Sequence, residues 1–223
     1  MALRTMREIG DAILHKRSKE LKKISRRDLY LIEDMLDTMY DREGVGLAAP
    51  QIGVLKRIVV IHGGINDMTT SQGQESSPGE DNLTAQKERI YGENSFGQDR
   101  EDQKYSGETT ETTEKTETED SLGEIAEADP IILINPVIIK EEGSQTGEEA
   151  CLSVPGKWGM VTRPEKVTIK AVDANMEEFE LEGEGLLARA ICHEIDHLDG
   201  KLYVDLVEGE LRDADDRDEE EDI

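Results

Sequence analysis

What most limits how this chain can fold is a break in its text. From about Gly63 to Asp129 it reads GINDMTTSQGQESSPGEDN and later SGETTETTEKTETEDS, a polar stretch rich in threonine and glutamate. Such a stretch cannot bury enough apolar surface to offset the entropy of ordering it, so disorder is expected there. The rest of the 223 residues suits one ordinary domain with a real core. Charge follows the same division. Residues 66–129 hold 18 acids against 5 bases and residues 208–223 hold 10 against 2, so of the formal −26 only −5 belongs to the remainder. A single domain over 1–207 is expected, interrupted by an acidic insertion at 63–129 and followed by an acidic tail at 208–223.

The flanking text is regular. Ser25 followed by Asp28 reads as a capping box, and Leu29, Ile32, Met35, Leu36, Met39 and Tyr40 recur at helical spacing behind it. The spacing predicts a helix over 26–42, stopped by the glycine-rich EGVGLAAPQIG. RIVVIH (57–62) reads as a buried strand and PIILINPVIIKEE as an apolar strand near 131–141. In EKVTIKAVDANMEEFELEG two period-2 strands flank a turn at 173–176, a hairpin. Leu186 to Leu198 reads as a helix closed by Gly200. Strands followed by a helix, with little alternation of the two, argue for an α+β domain.

No apolar run approaches the roughly 20 residues a bilayer span needs. The basic start, MALRTMREIGDAILHKRSKELKKI, carries Glu8, Asp11 and Glu20, unlike a transit peptide. Cys151 and Cys192 are too few for a disulfide framework and fit a reducing cytosol.

The last helix carries H-E-x-x-H as His193, Glu194 and His197. Residues four apart share a helix face, so both imidazoles can hold one metal while Glu194 stands beside the water it binds. Two histidines leave a third ligand to find. The H-E-x-x-H-x-x-G-x-x-H class is followed through Gly200 but closes on Tyr203, and no histidine follows. Glu208, Glu210 and Glu219–Glu221 lie in an acidic tail without the periodicity to fix a ligand. His15 and His62 read as structural. Cys151, in EEACLSVPG, stands between two readings, a buried structural thiol and a thiolate ligand for Zn²⁺ or Fe²⁺. Cys192 points roughly 100° away from His193 on the helix and reads as a wall residue.

GVGLAAPQ (44–51), EEACLSVPG (148–156) and HEIDH (193–197) together resemble the three signature motifs of bacterial peptide deformylases, in the right order. The likeness extends through REIGDAILHK, the hairpin and GEGLLARAICHEIDHLDGKLYVDL, leaving out only the insertion and the tail. It implies antiparallel sheets around the H-E-x-x-H helix and a hydrolase that removes the formyl group from the N-terminal methionine of nascent peptides. It also implies that Cys151, His193 and His197 hold one divalent ion. Fe²⁺ is favoured by the resemblance, while Zn²⁺, Ni²⁺ or Co²⁺ would suit the same ligands. Glu194 would carry the proton, and the Gln51 amide with the Leu152 backbone N–H would receive charge on the formyl oxygen. Gly44 and Gly46 would let the backbone approach the peptide. Val45, Leu186 and Ala190 are candidates for the methionine pocket, with core packing as their other reading.

Three departures stand out. The usual E-G-C-L-S reads E-A-C-L-S, and Ala150 would strain any backbone that needs a positive φ. The acidic insertion is one, and a tail that is acidic where some members carry a basic ribosome-docking helix is the other. A cytoplasmic monomer is expected, acting on N-formylmethionyl peptides, with no membrane contact and no direct nucleic-acid binding. A contrasting reading is a lapsed enzyme kept as a binding module through its acidic segments.

Overall fold

In the computed structural model, residues 2–65 and 129–214 are described. The expected disorder of the insertion falls almost wholly outside these residues, as does most of the tail. Helix α1 (Arg26–Asp41) begins at Ser25, whose N–H and hydroxyl both donate to the Asp28 carboxylate at 2.9 and 2.6 Å. It ends with Glu43 in a left-handed conformation (φ 53°), where the Glu43 N–H donates to the Tyr40 carbonyl and the Gly44 N–H to that of Met39. That is a Schellman closure made by a glutamate rather than by Gly44.

Eight strands follow: β1 (Gly46–Ala48), β2 (Ile58–Ile61), β3 (Ile131–Glu142), β4 (Gln145–Cys151), β5 (Val154–Arg163), β6 (Lys166–Val172), β7 (Glu178–Glu184) and, near the end, β8 (Arg212–Asp213). A 3₁₀ turn, Ala49–Ile52, follows β1, and helix α2 (Gly185–Leu198) follows β7. One antiparallel sheet has the order β1-β2-β3-β6-β7 and a smaller one the order β4-β5-β8. The α+β class is as expected. The β6–β7 hairpin is also where its alternation put it, with the Asp173 carboxylate accepting from the Asn175 and Glu177 N–H groups in the turn.

Each helix covers one face of the larger sheet. Val59, Ile61, Leu133, Val167 and Ile169 pack against Ala188, Ile191 and Ile195 of α2. Ile58, Val60, Leu47 and Ile134, on the other face, pack against Ile32, Met35 and Met39 of α1. Strand β2 is buried at every residue because both its faces are covered, which explains its unbroken apolar text. β6 is covered on one face only and alternates. The N-terminal residues have no long regular element and cross the surface as a strap, tied to α1 through Arg4 and Asp34 and to α2 through Ser18 N–H and the Leu198 carbonyl at 2.7 Å.

Several local expectations are refined. Cys151 lies at the end of β4, and residues 145–163 form a long hairpin that the apolar pattern did not reveal. Ala150 sits in that hairpin opposite Trp158, and the non-glycine residues with positive φ are Glu43, Asn135 and Met176 among those described. Alanine at 150 therefore carries no backbone strain. Ile65, placed with the insertion on composition, is fully buried in the core. Glu208 donates its N–H to the Met160 carbonyl, and β8 pairs with β5, so the charge-defined tail begins within the packed body.

β2 and β3 are direct antiparallel neighbours, with Ile61 opposite Ile131, so residues 62–130 leave and rejoin the sheet at one hairpin end. Lengthening a flexible hairpin connection from ~5 to ~65 residues costs about 2 kcal/mol of closure entropy. Replacing residues 66–128 by a short Gly/Ser turn should keep the fold and raise Tm by a few degrees. Thermal unfolding of both chains checks this; a lower Tm in the shortened chain would mean that the removed residues pack on the body.

Candidate metal centre

Helix α2 presents His193 and His197 on one face, with ring centroids 4.9 Å apart and planes at 77°. Its C-terminal end is set against the N-terminal strap. At Gly200 (φ +77°) a Cβ would lie 2.7 Å from the His15 carbonyl, a clearance only glycine gives. The turn that ends β4 brings Cys151 to the same face, its Sγ 3.2 Å from His197 Nε2. One atom from each of Cys151, His193 and His197 falls within 4.8 Å of the others. Two N–H groups point at the sulfur as well, Ser153 N and Gln51 Nε2, each at 3.4 Å. A sulfur and two imidazole nitrogens converging in a buried site form a donor set that suits zinc, iron, nickel or cobalt. The fit is supported by the other nitrogen of His193. Its Nδ1 is held by Glu149 Oε2 at 2.9 Å, which leaves Nε2 for an ion.

Glu194 is almost fully buried, and its Oε2 has no hydrogen-bond partner among the described residues. Burial pushes its carboxyl up to about 7, with Glu149 adding to the rise and His193 opposing it. β1 passes so close that a Cβ on Gly46 would lie 2.6 Å from Glu194 Oε1. Gly46 thus has a structural reason beyond substrate approach, since a side chain there would displace the carboxylate. Gln51 is buried in the 3₁₀ turn, where its Oε1 accepts from the Ala48 N–H at 2.7 Å and so turns Nε2 toward Cys151. Val45, Leu186 and Ala190 line a cleft of about 610 Å³ that Gln51, Cys151, Leu152 and Glu194 also border. Val45 and Leu186 also pack on the core behind it, and Ala190 belongs to that core.

Tyr203 stacks on the His193 ring at a centroid distance of 6.0 Å, and its hydroxyl donates to the Lys157 carbonyl. It occupies the position where another metalloenzyme class has its third histidine. Cys192 is buried in the core, its thiol pushed up to about 11 by burial, and does not join the cluster. His15 and His62 do not join it either. His15 is exposed, and His62 meets Tyr40 edge-on at 5.5 Å.

Sequence reasoning missed the group behind the candidate ligands. Glu149 is buried and accepts from Arg163 Nε and Nη2 at 2.9 and 3.0 Å, from Arg189 Nη1 at 2.9 Å and from His193 Nδ1. Burial would raise its carboxyl, but the bonds to His193 and Arg163 outweigh that and hold it down to about 2. The one available signal was spacing, since Glu149 precedes Cys151 by two and alternate strand residues share a face.

An H-E-x-x-H helix, a cysteine from a hairpin and a buried free carboxylate define a metallohydrolase-type centre in an α+β domain. A family model described as polypeptide deformylase matches residues 3–86 and 99–212. The peptide deformylase of Lachnoclostridium phytofermentans is 45% identical over 99% of each chain, and that of Agathobacter rectalis 42% identical over 96% of each. The crystal structure of a peptide deformylase from Legionella pneumophila is similar with a TM-score of 0.62, 34% identical, over 93% of this chain and 87% of that one. That of the Thermotoga maritima enzyme scores 0.63 at 26% identity, over 94% of this chain and all of that one. The chain belongs to the polypeptide deformylase family.

Glu149→Gln should weaken metal affinity about tenfold to a hundredfold, because the His193 ring loses its carboxylate acceptor. It should also destabilise the fold by on the order of 3 kcal/mol, since buried Arg189 loses its carboxylate and Arg163 keeps only Asp196 of its two. The stabilisation held by the carboxylate is complete above its unfolded pKa and is lost as pH falls toward about 2. Metal titration and thermal unfolding of the variant test both; unchanged affinity would show that Glu149 does not orient His193.

Proposed function

We propose that the centre divides the labour of deformylation among Glu194, Gln51, Leu152 and the three metal ligands. The chain removes the formyl group from the N-terminal methionine of polypeptides and releases formate, the activity of the family to which it belongs. Cys151, His193 through Nε2, and His197 hold one divalent ion, Fe²⁺ in our reading. Such an ion supplies a Lewis acid and lowers the pKa of a bound water from about 15.7 toward 7. Glu194 takes a proton from the attacking water and returns it to the departing amine. The Gln51 side-chain amide and the Leu152 N–H donate to the formyl oxygen as charge collects there, a role worth ~10²–10³ in rate per donor. The methionine side chain lies against Val45, Leu186 and Ala190, and Gly46 leaves room for both the peptide and the Glu194 carboxylate.

The observation that carries this reading is the buried Glu194 carboxylate, whose Oε2 has no hydrogen-bond partner among the described residues, next in sequence to one of three convergent groups that could hold a metal. A lapsed module would have no need to keep these groups together, and no feature of the described residues favours that reading. We take the chain to act as a monomer. No helix among the described residues is long and apolar enough to cross a membrane. We place the reaction in the cytoplasm, where formylated chains are made. Residues 208–223 are too acidic to serve as a basic ribosome-docking helix.

Cys151→Ala should abolish tight metal binding while Cys192→Ala leaves it nearly intact, as elemental analysis of the purified variants will show. Equal loss in both would refute the ligand assignment. Glu194→Gln should keep the metal and lose several orders of magnitude in kcat on a formylated methionyl peptide. Near-normal turnover in that variant would remove Glu194 from the proton path.

A further inference from the structure

Two groups assigned to receive the oxyanion sit on parts of the fold that no sheet joins. Gln51 belongs to the turn after β1 in the larger sheet, and Leu152 to the turn between β4 and β5 in the smaller one. Across their side of the cleft, the Gln51 side chain meets Cys151 Sγ by a long contact at 3.4 Å, and the Leu152 side chain packs against Gly44 and the core cluster that holds Ala49 and Ile52. A pair of donors must nevertheless hold one oxygen, with its separation fixed to within about half an ångström.

The N-terminal strap crosses between the two turns. Arg7 donates its backbone N–H to the Gln51 carbonyl at 2.6 Å, and Ile9 donates its own to the Ser153 carbonyl at 2.8 Å. Ile9 opens a turn closed by the Asp11 N–H on the Glu8 carbonyl at 2.9 Å, so the two bonds fall at the last irregular residues of the strap and the start of that turn. Between and before them, Met6 and Glu8 line the cleft. The segment is pinned upstream, where Arg4 N–H donates to Thr38 Oγ1 at 3.0 Å and its guanidinium meets Asp34. Downstream it is pinned by Ser18 N–H on the Leu198 carbonyl, at the end of the helix that carries both histidines. At Gly53, just past the Gln51 turn, a Cβ would lie 2.9 Å from Arg7 Nε, so the Arg7 side chain rests on that turn.

We propose that Arg7 and Ile9 are positioning residues for deformylation, their backbone N–H groups setting the gap between the Gln51 amide and the Leu152 N–H. The proposal rests on the assignment of Gln51 and Leu152 as oxyanion donors. It distinguishes the strap from simple packing, because a clamp on donors acts on the transition state and leaves ground-state binding alone.

The test uses the full-length, metal-loaded enzyme carrying an ester in place of the Ile9 amide, made by semisynthesis, which removes the N–H and also weakens the Glu8 carbonyl as acceptor for the Asp11 N–H; an ester at Arg7 is made alongside it. Ile9→Ala, which keeps the N–H, is the control. Five quantities are read: kcat and KM on a formylated methionyl tripeptide, the Kd of the deformylated tripeptide, the Kd of an N-(H-phosphonyl)methionyl peptide as tetrahedral mimic, and metal content. With the ester, kcat should fall at least about tenfold and affinity for the mimic by the same factor, a part of what one donor is worth. KM, product Kd and metal content should stay within about twofold, and Ile9→Ala should stay within about twofold throughout. Unchanged kcat in the ester enzyme overturns the proposal, and so does a parallel loss of product affinity, which would mean that the cleft has merely loosened. If the Ile9 ester does not fold, the ester at Arg7 gives the same readings at the Gln51 end. Gln51→Ala separates the two levels. If it leaves kcat and mimic affinity intact, the donor assignment fails; if it lowers both while the esters do not, the clamp alone fails.

Discussion

The buried carboxylate of Glu149 is the interaction on which the rest of the centre depends. It gathers Arg163 from β5, Arg189 and His193 from α2, and itself from β4. Arg163 reaches on to Asp196, and Arg189 to the carbonyls of Val161 and Gln145, so helix and hairpin are tied at several points. Burying such charges is costly, and the cost is offset only when almost every donor finds an acceptor. Here the geometry comes close to that. The consequence for chemistry is that the His193 ring cannot turn, and a ligand that cannot turn needs no ordering when an ion arrives.

Against that fixed helix, the larger sheet delivers the remaining groups by close approach. β1 is only three residues long, but it packs over α2 closely enough that Gly46 touches the Glu194 carboxylate. The 3₁₀ turn that follows is held by its own side chain, Gln51 Oε1 on the Ala48 N–H, so the amide donor is oriented from within the motif. The order GVGLAAPQ therefore encodes a sequence of clearances and bonds: space for Leu152 at Gly44, space for Glu194 at Gly46, and a self-braced amide at Gln51.

The sequence made some of this legible and hid the rest for physical reasons. α1, β2, β3, the β6–β7 hairpin and α2 could be read because each buries a periodic or continuous apolar face. The β4–β5 hairpin could not. Its text, QTGEEACLSVPGKWGMVTR, is polar where its carboxylate and arginine face the helix, and buried charge looks like surface charge in a sequence. His193, Glu194 and His197 were readable because helix periodicity alone brings them together. Cys151 was not fixed by spacing, since a strand-end cysteine reaches a helix only through tertiary packing; the family resemblance supplied it. Compositional boundaries also erred by a few residues. Ile65 is core, and β8 lies in the acidic tail, because composition averages over windows wider than a single anchoring contact.

The placement of the third ligand has a consequence for stability as well as for chemistry. In a centre whose ligands all came from one helix, an ion would add little to the fold, since local structure would already assemble the site. Here Cys151 belongs to the smaller sheet and both histidines to the helix packed on the larger one. An ion held by all three would cross-link units that otherwise meet through the Glu149 network, the N-terminal strap and side-chain packing. Its binding free energy is then partly folding free energy, because the unfolded chain has no such site to offer. As a ligand, Cys151 would serve the fold and the chemistry together. The same logic accounts for the contrast with Cys192, which is one residue from His193 and buried more deeply than Cys151 but faces the core of its own sheet. Proximity in sequence gives it no share in the site; only the hairpin, arriving from the other sheet, can close the coordination.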